Sequence, residues 1–329
     1  MVELKNITDI HPLAEENYAE IMETVIEPEL AQIRREGYMT FEGGRKIHYA
    51  YYICPDAKGS IAISHGFTET AEKFREMAYY FLEGGYNVFA VDHRGHGYSS
   101  REVDDLQIAH VEHFSDYVGD FNAFVENIVR PHSGDLPLYL FSHSMGGAVA
   151  ALYIQQFPDV FEKAILSSPM ISPKTAGFPH WVTKAMAGAF ILTGKRKDMV
   201  FTEKGFDPDF TYERSNDTSK ARFDYYYNKR KNIKEYQTCG ASYGWVMESL
   251  KIIPQMLDPI NCGNVQTKVL LLQPAVDDVV EMEPQAEFVS KIPGARLVKI
   301  PASKHEIYLS VNEGMEPYLQ TIFSFLAEE

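Results

Sequence analysis

The sequence predicts an α/β fold in which a mostly parallel central sheet is flanked by helices and carries a long segment inserted late in the sheet. Short apolar runs, typical of buried strands, alternate with helical stretches along most of the chain, and this alternation is the pattern of βαβ units. Between residues 171 and 254 the alternation stops, and an irregular, aromatic segment replaces it. Because the alternation then resumes, we expect both parts to form one sheet.

Before the insertion, the helices and strands are predicted in the following order. Residues 1–36 are expected to be helical, and two strands at 38–41 and 47–53 are expected to form a hairpin around Gly43-Gly44. The pattern then predicts strands at 61–63, 87–91, 138–141 and 164–166, with helices over 71–82, 114–129 and 146–156 between them.

After the insertion, the βα pattern predicts a strand at 269–272, a helix over 284–292, a strand at 296–300 and a final helix over 313–327. We therefore divide the chain into a core, residues 1–168 and 256–329, and a cap, residues 169–255. A connection as long as this cap needs a structure or a function of its own.

Composition narrows the class of protein. Of the 329 residues, 45% are hydrophobic and 23% charged, which is ordinary for a globular protein. The net charge of −15 argues against nucleic acid as a partner and against broad electrostatic binding to anionic membranes. The three cysteines match no metal motif and suggest no disulfide framework. With no signal-peptide pattern and no apolar run of about 18 residues, we expect a cytoplasmic location.

Ser144 stands at the centre of the strongest chemical motif. The run Ser142-His143-Ser144-Met145-Gly146 follows an apolar strand and opens a helix, as the nucleophile elbow of the α/β-hydrolase fold requires. Strand and helix nearly touch at such a turn, so the residues two before and two after the serine must be small. The helix N-terminus favours negative charge, and the Met145 N–H is the expected first donor of an oxyanion hole. A tight turn without chemistry is the alternative.

The loop after the third strand is the expected source of the second oxyanion donor. In this fold that N–H comes from this loop, and Ser64-His65-Gly66-Phe67 occupies the corresponding place. The Phe67 N–H is the candidate donor. We expect His65 to support the loop through a side-chain hydrogen bond and not to transfer protons.

A second loop rich in glycine and histidine has the appearance of a metal or phosphate site. Histidine and aspartate side chains bind a metal only if they converge, and on a glycine-rich turn they point in different directions. We therefore expect an architectural role, in which Asp92 and Arg94 tie loops together beneath the active site. The loop reads Asp92-His93-Arg94-Gly95-His96-Gly97-Tyr98-Ser99.

The acid and base partners should follow the nucleophile in the order serine, acid, histidine. Two adjacent carboxylates, Asp277 and Asp278, follow the strand at 269–272, and only one of them can face the histidine. His305, after the strand at 296–300, is the candidate base. The base would take the Ser144 proton, the acid would hold the imidazole tautomer, and water would hydrolyse an acyl-enzyme.

These blocks together resemble the group of α/β-hydrolases that contains monoacylglycerol lipases and bacterial lysophospholipases of the L2 type. The group is also called the hydrolase-4 or serine aminopeptidase S33-like group, and the resemblance extends over about residues 40–327. The matching blocks are Ser64-His65-Gly66, the whole run 92–99, His143-Ser144-Met145-Gly146-Gly147, Leu271-Leu272-Gln273 through Asp277 with Val279-Val280, and Lys304-His305-Glu306-Ile307. In the cap, Tyr243-Gly244-Trp245-Val246 is similar to the lysophospholipase side of the group.

The resemblance also selects between the two acids. In this group the acid lies four residues after the glutamine, which is Asp277 when counted from Gln273. Two features depart from the group. Ser142 replaces a glycine at the elbow, and the run 67–70 replaces a small, glycine-containing sequence that monoacylglycerol lipases carry.

The resemblance implies a serine hydrolase that cleaves carboxylic esters of single-chain lipids, either lysophospholipids or monoacylglycerols. It implies Ser144, Asp277 and His305 as the triad, Phe67 and Met145 as oxyanion donors, and neither cofactor nor metal. A short-chain or aryl esterase, a thioesterase or an aminopeptidase on the same scaffold is the first alternative. A non-catalytic binding module is the second. Head group, acyl-chain length and oligomeric state stay open.

The cap carries two further patterns. Apolar residues near helical spacing predict a first helix that packs against the core and roofs the pocket; they are Phe178, Trp181, Val182, Ala185, Ala189 and Phe190. Two basic clusters are either a solvated face or a contact for a phosphorylated head group or an anionic interface; they are Lys195-Arg196-Lys197 and Lys229-Arg230-Lys231. The second interpretation predicts transient contact of the cap with a membrane surface.

Overall fold

A central sheet organises the computed structural model, which describes residues 2–328 and within them forms an eight-stranded sheet of order β1-β2-β4-β3-β6-β7-β9-β10. Neighbouring strands are parallel except where β2 pairs with β1 and with β4. The strands are β1 (Arg34–Thr40), β2 (Lys46–Tyr52), β3 (Ser60–Ser64), β4 (Asn87–Val91), β5 (Ile108–Ala109), β6 (Leu138–His143), β7 (Lys163–Ser167), β8 (Gly240–Ala241), β9 (Lys268–Pro274) and β10 (Arg296–Ile300). The short strands β5 and β8 form a separate parallel pair.

Helices cover the sheet and build most of the insertion. They are α1 (Tyr18–Ile21), α2 (Glu27–Ile33), α3 (Arg75–Glu83), α4 (Ser115–Phe124), α5 (Arg130–Ser133), α6 (Met145–Gln156), α7 (His180–Leu192), α8 (Lys220–Asn232), α9 (Tyr243–Lys251), α10 (Ile253–Met256), α11 (Pro259–Gly263), α12 (Met282–Lys291) and α13 (Asn312–Ala327). One π-helical turn joins α1 to α2 and another joins α4 to α5. Within residues 2–328, no helix has both the length and the apolar character needed to span a bilayer.

Both faces of the sheet bury a core, and this explains the short uninterrupted apolar runs in the sequence. Successive side chains of a strand point to opposite faces. In β3, Ala62 joins one core while Ile61 and Ile63 join the other. In β6, Leu140 and Phe141 divide in the same way. Strands buried on both faces are typical of parallel sheets covered by helices, and the predicted α/β class is confirmed.

The predicted N-terminal helix is wrong at both ends. Helical structure covers only residues 18–33, apart from a short 3₁₀ turn at Ile7–Asp9, and Met1 lies outside the described residues. Pro12 disfavours helical backbone in the residue before it. At the other end, β1 begins at Arg34, which pairs with Tyr52 of β2. The pairing with β2 therefore extends the first strand into a stretch whose own sequence favours helix.

The prediction that a stripe of apolar residues forms the inner face of the first cap helix is also wrong. In α7 only Ala187 is buried, while Trp181 is 74% exposed and Phe178, just before the helix, is 48% exposed. The inward-facing Phe190 stacks on Tyr243 of α9 with ring centroids 4.3 Å apart. Because α7 is apolar on most of its circumference, its sequence does not select a face, and packing against α9 makes that choice.

The inserted segment is held to the rest of the molecule by a buried ion pair. Arg222 of α8 is fully buried, and its guanidinium lies 2.8 Å from a carboxylate oxygen of Glu76 in α3. The same guanidinium donates to the carbonyl oxygens of Ser310, at 3.0 Å, and Leu13, at 3.3 Å. Four separate parts of the chain therefore meet at one side chain. The β5–β8 pair is a second link between the insertion and the rest of the chain.

We expect Arg222→Ala to lower the free energy of unfolding by about 3–5 kcal/mol, because it leaves the Glu76 carboxylate buried without its partner. Urea denaturation followed by circular dichroism measures the change. Lys220→Ala is the matched control, since Lys220 lies on the same helix and its ion pair with Asp224 is largely exposed. An equally small effect of both substitutions would show that the buried pair does not anchor the insertion.

Candidate active site

Ser144 lies in the turn between β6 and α6 in a backbone conformation that side chains rarely adopt, with φ +51° and ψ −117°. Such conformations cost about 1–3 kcal/mol and persist only where the surroundings hold them. Here the Ser144 N–H donates to the carbonyl oxygen of Ser167 at 3.1 Å, and its own carbonyl accepts from the Met170 N–H at 2.8 Å. The turn is therefore held from β7 and from the chain just after it.

The glycine two residues after Ser144 is required by a close backbone approach. A Cβ atom on Gly146 would lie 2.1 Å from the carbonyl oxygen of Ser64 and 2.5 Å from that of His65. No side chain fits there without moving the loop after β3. On the other side of the elbow, Ser142 is buried and its hydroxyl donates to the Ile165 carbonyl at 3.4 Å. The serine in place of glycine is therefore accommodated and has an acceptor.

A chain of hydrogen bonds joins the three side chains expected to form the triad. The Ser144 hydroxyl lies 2.9 Å from Nε2 of His305, and Nδ1 of His305 lies 2.8 Å from Oδ2 of Asp277. The other oxygen of Asp277 accepts from the backbone N–H groups of Val279 and Val280, at 2.8 and 2.9 Å. All three side chains are buried. The neighbouring carboxylate is exposed, so the structure brings Asp277, and not Asp278, to the histidine.

The surroundings of Asp277 favour its ionised form. Burial by itself raises the pKa of this carboxyl, but the hydrogen bond and charge of His305, together with the two backbone N–H groups, lower it overall. A carboxylate in this position keeps the proton of His305 on Nδ1. It leaves Nε2 free to accept the proton of the Ser144 hydroxyl.

The two expected oxyanion donors lie on the two segments that meet at Gly146. Met145 is the first residue of α6, and Phe67 follows β3. Among the residues that the structure describes, neither backbone N–H has a hydrogen-bond acceptor. Both groups are thus available to a ligand. The Phe67 ring packs on Trp245 of the inserted segment, with ring centroids 4.3 Å apart.

A buried carboxylate that the sequence analysis did not single out holds the loop containing Phe67. Glu69 accepts from the Gly66 N–H at 2.5 Å and contacts Nδ1 of His143 at 3.0 Å. His143 in turn donates from Nε2 to the carbonyl oxygen of His305, 3.2 Å away. The loop after β3, the elbow and the loop of the base are thereby tied together. Glu69 lies in one of the recognised departures from the group, but no local pattern indicates its partner 74 residues away.

The charges in this network are complementary. Burial by itself raises the pKa of Glu69, yet the charges of His143 and Lys73 and the hydrogen bonds to His143 and Tyr308 hold it well below its usual range. For His143, burial lowers the pKa, but the neighbouring Glu69 carboxylate outweighs it and the pKa is raised. With hydrogen-bond partners on both ring nitrogens, His143 is a positioning residue whose protonated form fits both contacts.

His65, Asp92 and Arg94 occupy architectural positions. His65 bonds through Nδ1 to the Gly66 carbonyl at 2.7 Å and accepts at Nε2 from the His93 N–H at 2.9 Å. Asp92 and Arg94 connect neighbouring segments of the chain. Asp92 contacts His48 at 2.8 Å and the Ala71 N–H at 2.7 Å, and Arg94 contacts Asp120 at 2.6 Å.

One cluster in the described residues has the composition of a metal site. Ligand atoms of Glu102, His110 and Glu112 lie within 4.8 Å of one another. Both carboxylates already contact guanidinium groups, since Arg94 lies 2.9 Å from Glu102 and Arg196 lies 2.7 Å from Glu112. Arginine thus supplies the positive charge that a metal would otherwise bring.

An apolar cavity of about 200 Å³ lies within the inserted segment, to which all of its lining residues belong. Two of these residues contact loops of the candidate site. Trp245, which packs on Phe67, lines it, and so does Lys174, whose ammonium donates to the Asp277 carbonyl at 2.6 Å. The remaining apolar lining comes mainly from Pro173, Phe178, Met186, Ala187, Val200, Phe201, Tyr243, Val246 and Leu250.

One carboxyl group interrupts this apolar lining. Glu203 borders the cavity and accepts a hydrogen bond from the Ala241 N–H. Burial raises the pKa of Glu203 to about 7, although that hydrogen bond acts in the opposite direction. Near neutral pH this side chain is therefore divided between its neutral and charged forms.

Most residues of the two basic clusters noted in the sequence already contact other groups of the protein. Arg196 pairs with Glu112 at 2.7 Å, and Lys197 donates to the Glu102 carbonyl at 3.1 Å. Lys229 pairs with Glu27. The clusters are therefore not two uniformly charged patches.

Comparison with known proteins places the chain in a family. The family model described as Hydrolase_4, serine aminopeptidase, S33, matches residues 55–312. Lysophospholipase L2 of Escherichia coli strain K12 is 28% identical over 283 residues, which cover 80% of this chain and 79% of that protein. Monoacylglycerol lipase of Mycolicibacterium smegmatis is 30% identical over 157 residues, covering 47% of this chain and 54% of that one.

Solved structures agree on the fold. The soluble variant of monoglyceride lipase from Saccharomyces cerevisiae, determined with a substrate analogue, superimposes with a TM-score of 0.70 at 18% identity, covering 89% of this chain and 96% of that chain. The resemblance found in the sequence is thus confirmed. This chain is an enzyme of the carboxylic ester hydrolase class and belongs to the Hydrolase_4 (serine aminopeptidase S33) family of α/β-hydrolases.

Proposed function

We propose that this enzyme hydrolyses carboxylic esters of single-chain lipids, lysophospholipids or monoacylglycerols, through an acyl-enzyme on Ser144. The hydrogen-bonded chain from Ser144 through His305 to Asp277 carries the proposal. Two nearby backbone N–H groups have no acceptor in the described residues, and an apolar cavity is joined to the site through the contact of Trp245 with Phe67. Both features fit the hydrolysis of an ester with an aliphatic acyl chain.

In the first half of the reaction, Nε2 of His305 takes the hydroxyl proton while Oγ of Ser144 attacks the ester carbonyl carbon. The N–H groups of Phe67 and Met145 stabilise the negative charge that develops on the carbonyl oxygen. When the C–O bond to the alcohol breaks, the imidazolium gives its proton to the leaving oxygen. In the second half, Nε2 of His305 takes a proton from water while the water oxygen attacks the acyl carbon. The bond between that carbon and Oγ of Ser144 then breaks, the imidazolium returns its proton to Oγ, and the fatty acid leaves.

The substrate class rests on the cavity and on the relatives. A cavity with mainly aromatic and aliphatic walls favours burial of a hydrocarbon chain. The relatives named lysophospholipase L2 and monoacylglycerol lipase support single-chain lipids. The match to the lysophospholipase covers 80% of this chain, whereas the match to the monoacylglycerol lipase covers 47%.

We further propose that residues 169–255 act as a cap that contacts lipid surfaces transiently. Large apolar side chains are exposed on this segment, with Trp181 at 74%, Leu192 at 90% and Phe201 at 62%. Phe201 also lines the apolar cavity. Large exposed apolar side chains are typical of interaction surfaces.

The proposed substrates imply a role in lipid metabolism. We propose a cytoplasmic location for the enzyme, which the three free cysteines support.

Ser144→Ala should fold normally and lower kcat by at least about 10³-fold, because it removes the nucleophile. A fluorophosphonate probe should label the wild type at Ser144, as peptide mass spectrometry would show. Ser142→Ala is the matched control, since its hydroxyl contacts only a backbone carbonyl, and it should retain labelling. Labelling at Ser142 with Ser144 intact would refute the assignment.

Asp277→Asn should reduce kcat by about 10³-fold or more, because an amide cannot stabilise the protonated imidazole of His305. Asp278→Asn changes the adjacent, exposed carboxylate and should leave kcat within about threefold. Steady-state rates on a p-nitrophenyl ester give both values. Similar losses in the two variants would mean that the wrong acid was assigned.

Binding of long acyl chains should weaken as the pH rises through about 7, where Glu203 becomes charged. A charged carboxylate in an apolar cavity is costly to desolvate, so the neutral form favours chain binding. The measurement is the ratio of kcat/KM for a long-chain to a short-chain ester between pH 6 and 8.5, since titration of the triad cancels in that ratio.

Glu203→Gln is the control for this pH effect, because its amide oxygen still accepts from the Ala241 N–H. The ratio should become independent of pH in this variant. A wild-type ratio that is flat, or one that falls equally in E203Q, would exclude Glu203 as its origin.

A further inference from the structure

A second, polar cavity of about 340 Å³ lies beside the same loops. Thr68, which follows the candidate donor Phe67, and Glu306, which follows His305, form part of its wall. Lys73 and Leu309 also line it, and the rest comes from the inserted segment, with Phe210, Arg214, Ser215, Asn216, Asp217, Phe223, Tyr226, Tyr227, Arg230 and Cys239. A group bound there would lie next to the loop of the oxyanion donor and next to the base.

Arg230 is the cation in this cavity whose charge is not compensated. Its guanidinium donates to the backbone carbonyls of Tyr236 and Thr238, each at 2.9 Å, and within residues 2–328 it forms no ion pair. The other two cations already have carboxylate partners. Lys73 lies 2.6 Å from Glu306, and Arg214 lies 2.9 Å from Asp207.

Two neutral carbonyls orient the Arg230 guanidinium, and it lies over the rings of Phe206 and Tyr227, 5.3 and 5.7 Å from their centroids. None of these groups is a counter-ion. Among the described residues, Nη1 makes neither of the two hydrogen bonds and has no other acceptor. Guanidinium groups bind phosphate oxygens in a planar, directional way, so a guanidinium held like this beside a cavity can pair with a bound anion.

Other polar atoms around the cavity also lack partners. The Tyr226 hydroxyl is buried beside the Thr70 hydroxyl, and neither makes a hydrogen bond of ordinary geometry among the described residues. Burial, together with the charge of Glu306 and a hydrogen bond with it, raises the pKa of Asp217 well above its usual range, which weakens the repulsion of an anion by this carboxyl. A phenolic hydroxyl such as that of Tyr226 can donate to a phosphate oxygen.

We propose that this cavity binds the phosphodiester of a lysophospholipid head group, with Arg230 as the principal contact and Tyr226 as a second donor. The inference rests on the proposed ester hydrolysis at Ser144 and names its preferred substrate class. The acyl chain would occupy the apolar cavity lined by Trp245, while the head group occupies the polar cavity lined by Thr68. Monoacylglycerols carry no phosphate and would lack the second set of contacts.

The test compares two substrates with the same acyl chain, a lysophosphatidylcholine and a monoacylglycerol, both below their critical micelle concentrations. Arg230→Gln should lower the ratio of kcat/KM, lysophospholipid over monoacylglycerol, by about tenfold, mainly through KM of the lysophospholipid. Lys231→Gln is the matched control, because Lys231 is the next residue of α8, is exposed and does not line the cavity. It should leave the ratio unchanged.

Tyr226→Phe guards against a folding defect in R230Q, whose guanidinium also supports two backbone carbonyls. It removes only a hydroxyl that makes no hydrogen bond of ordinary geometry among the described residues, so Tm should change little. The same ratio should decrease about threefold. An unchanged ratio in both R230Q and Y226F, or equal losses on the two substrates in both variants, would overturn the head-group assignment.

Soluble anions separate a head-group site from a site for free phosphate. Glycerophosphocholine should inhibit lysophospholipid hydrolysis competitively in the wild type and about tenfold less well in R230Q. Inhibition by inorganic phosphate with an unchanged substrate ratio in R230Q would indicate a free-anion site and overturn the proposal. Absence of fluorophosphonate labelling and of turnover on both substrates in the wild type would instead refute the hydrolase mechanism itself.

Discussion

The contact between the start of α6 and the loop after β3 is the constraint on which the candidate site depends. At Gly146 the two backbones approach so closely that a Cβ would lie 2.1 Å from the Ser64 carbonyl oxygen. This approach brings the Met145 N–H, at the first turn of α6, near the loop that carries Phe67. It also confines Ser144 to its strained turn. Any larger residue at position 146 would separate the proposed nucleophile, Ser144, from the second proposed donor, Phe67.

The loops around this contact are tied by charge as well as by packing. Glu69 and His143 form a buried pair that connects the loop after β3 to the elbow, and His143 reaches onward to the His305 carbonyl. Removing one partner of such a pair leaves a charge buried without compensation, which is far costlier than losing a surface ion pair. The network thereby gives the site a rigid support in which no member needs to touch substrate.

The inserted segment adds two cavities of opposite character to this frame. Trp245 extends the apolar side by packing on Phe67, and Arg230 stands on the polar side. Arg222 fixes the segment that carries Arg230 through its buried contact with Glu76. An amphiphilic molecule with its ester at Ser144 would meet hydrocarbon walls in one direction and hydrogen-bond donors in the other. We therefore propose that the cap sets the substrate preference, while the proposed triad lies in the core.

Much of the candidate site was predictable because its motifs are local. The elbow is readable in the sequence because the small residue at 146, the preceding apolar strand and the following helix all lie within a few positions of Ser144. His305 is readable from its place after the last strand. The adjacent acids Asp277 and Asp278 could not be separated by their local pattern alone, because both follow the same strand. The family spacing favours Asp277, and in the structure that side chain contacts His305.

The sequence by itself determined the α/β class, the order of the strands along the chain, the position of the insertion and the serine turn, because each depends on periodicity or on steric rules over a few residues. Tertiary structure alone decided which face of α7 turns inward, where β1 begins, and which charges are paired. Glu69 meets His143 across 74 residues and Arg222 meets Glu76 across 146. Such contacts depend on how the whole sheet brings distant segments together, and no short stretch of sequence contains that information.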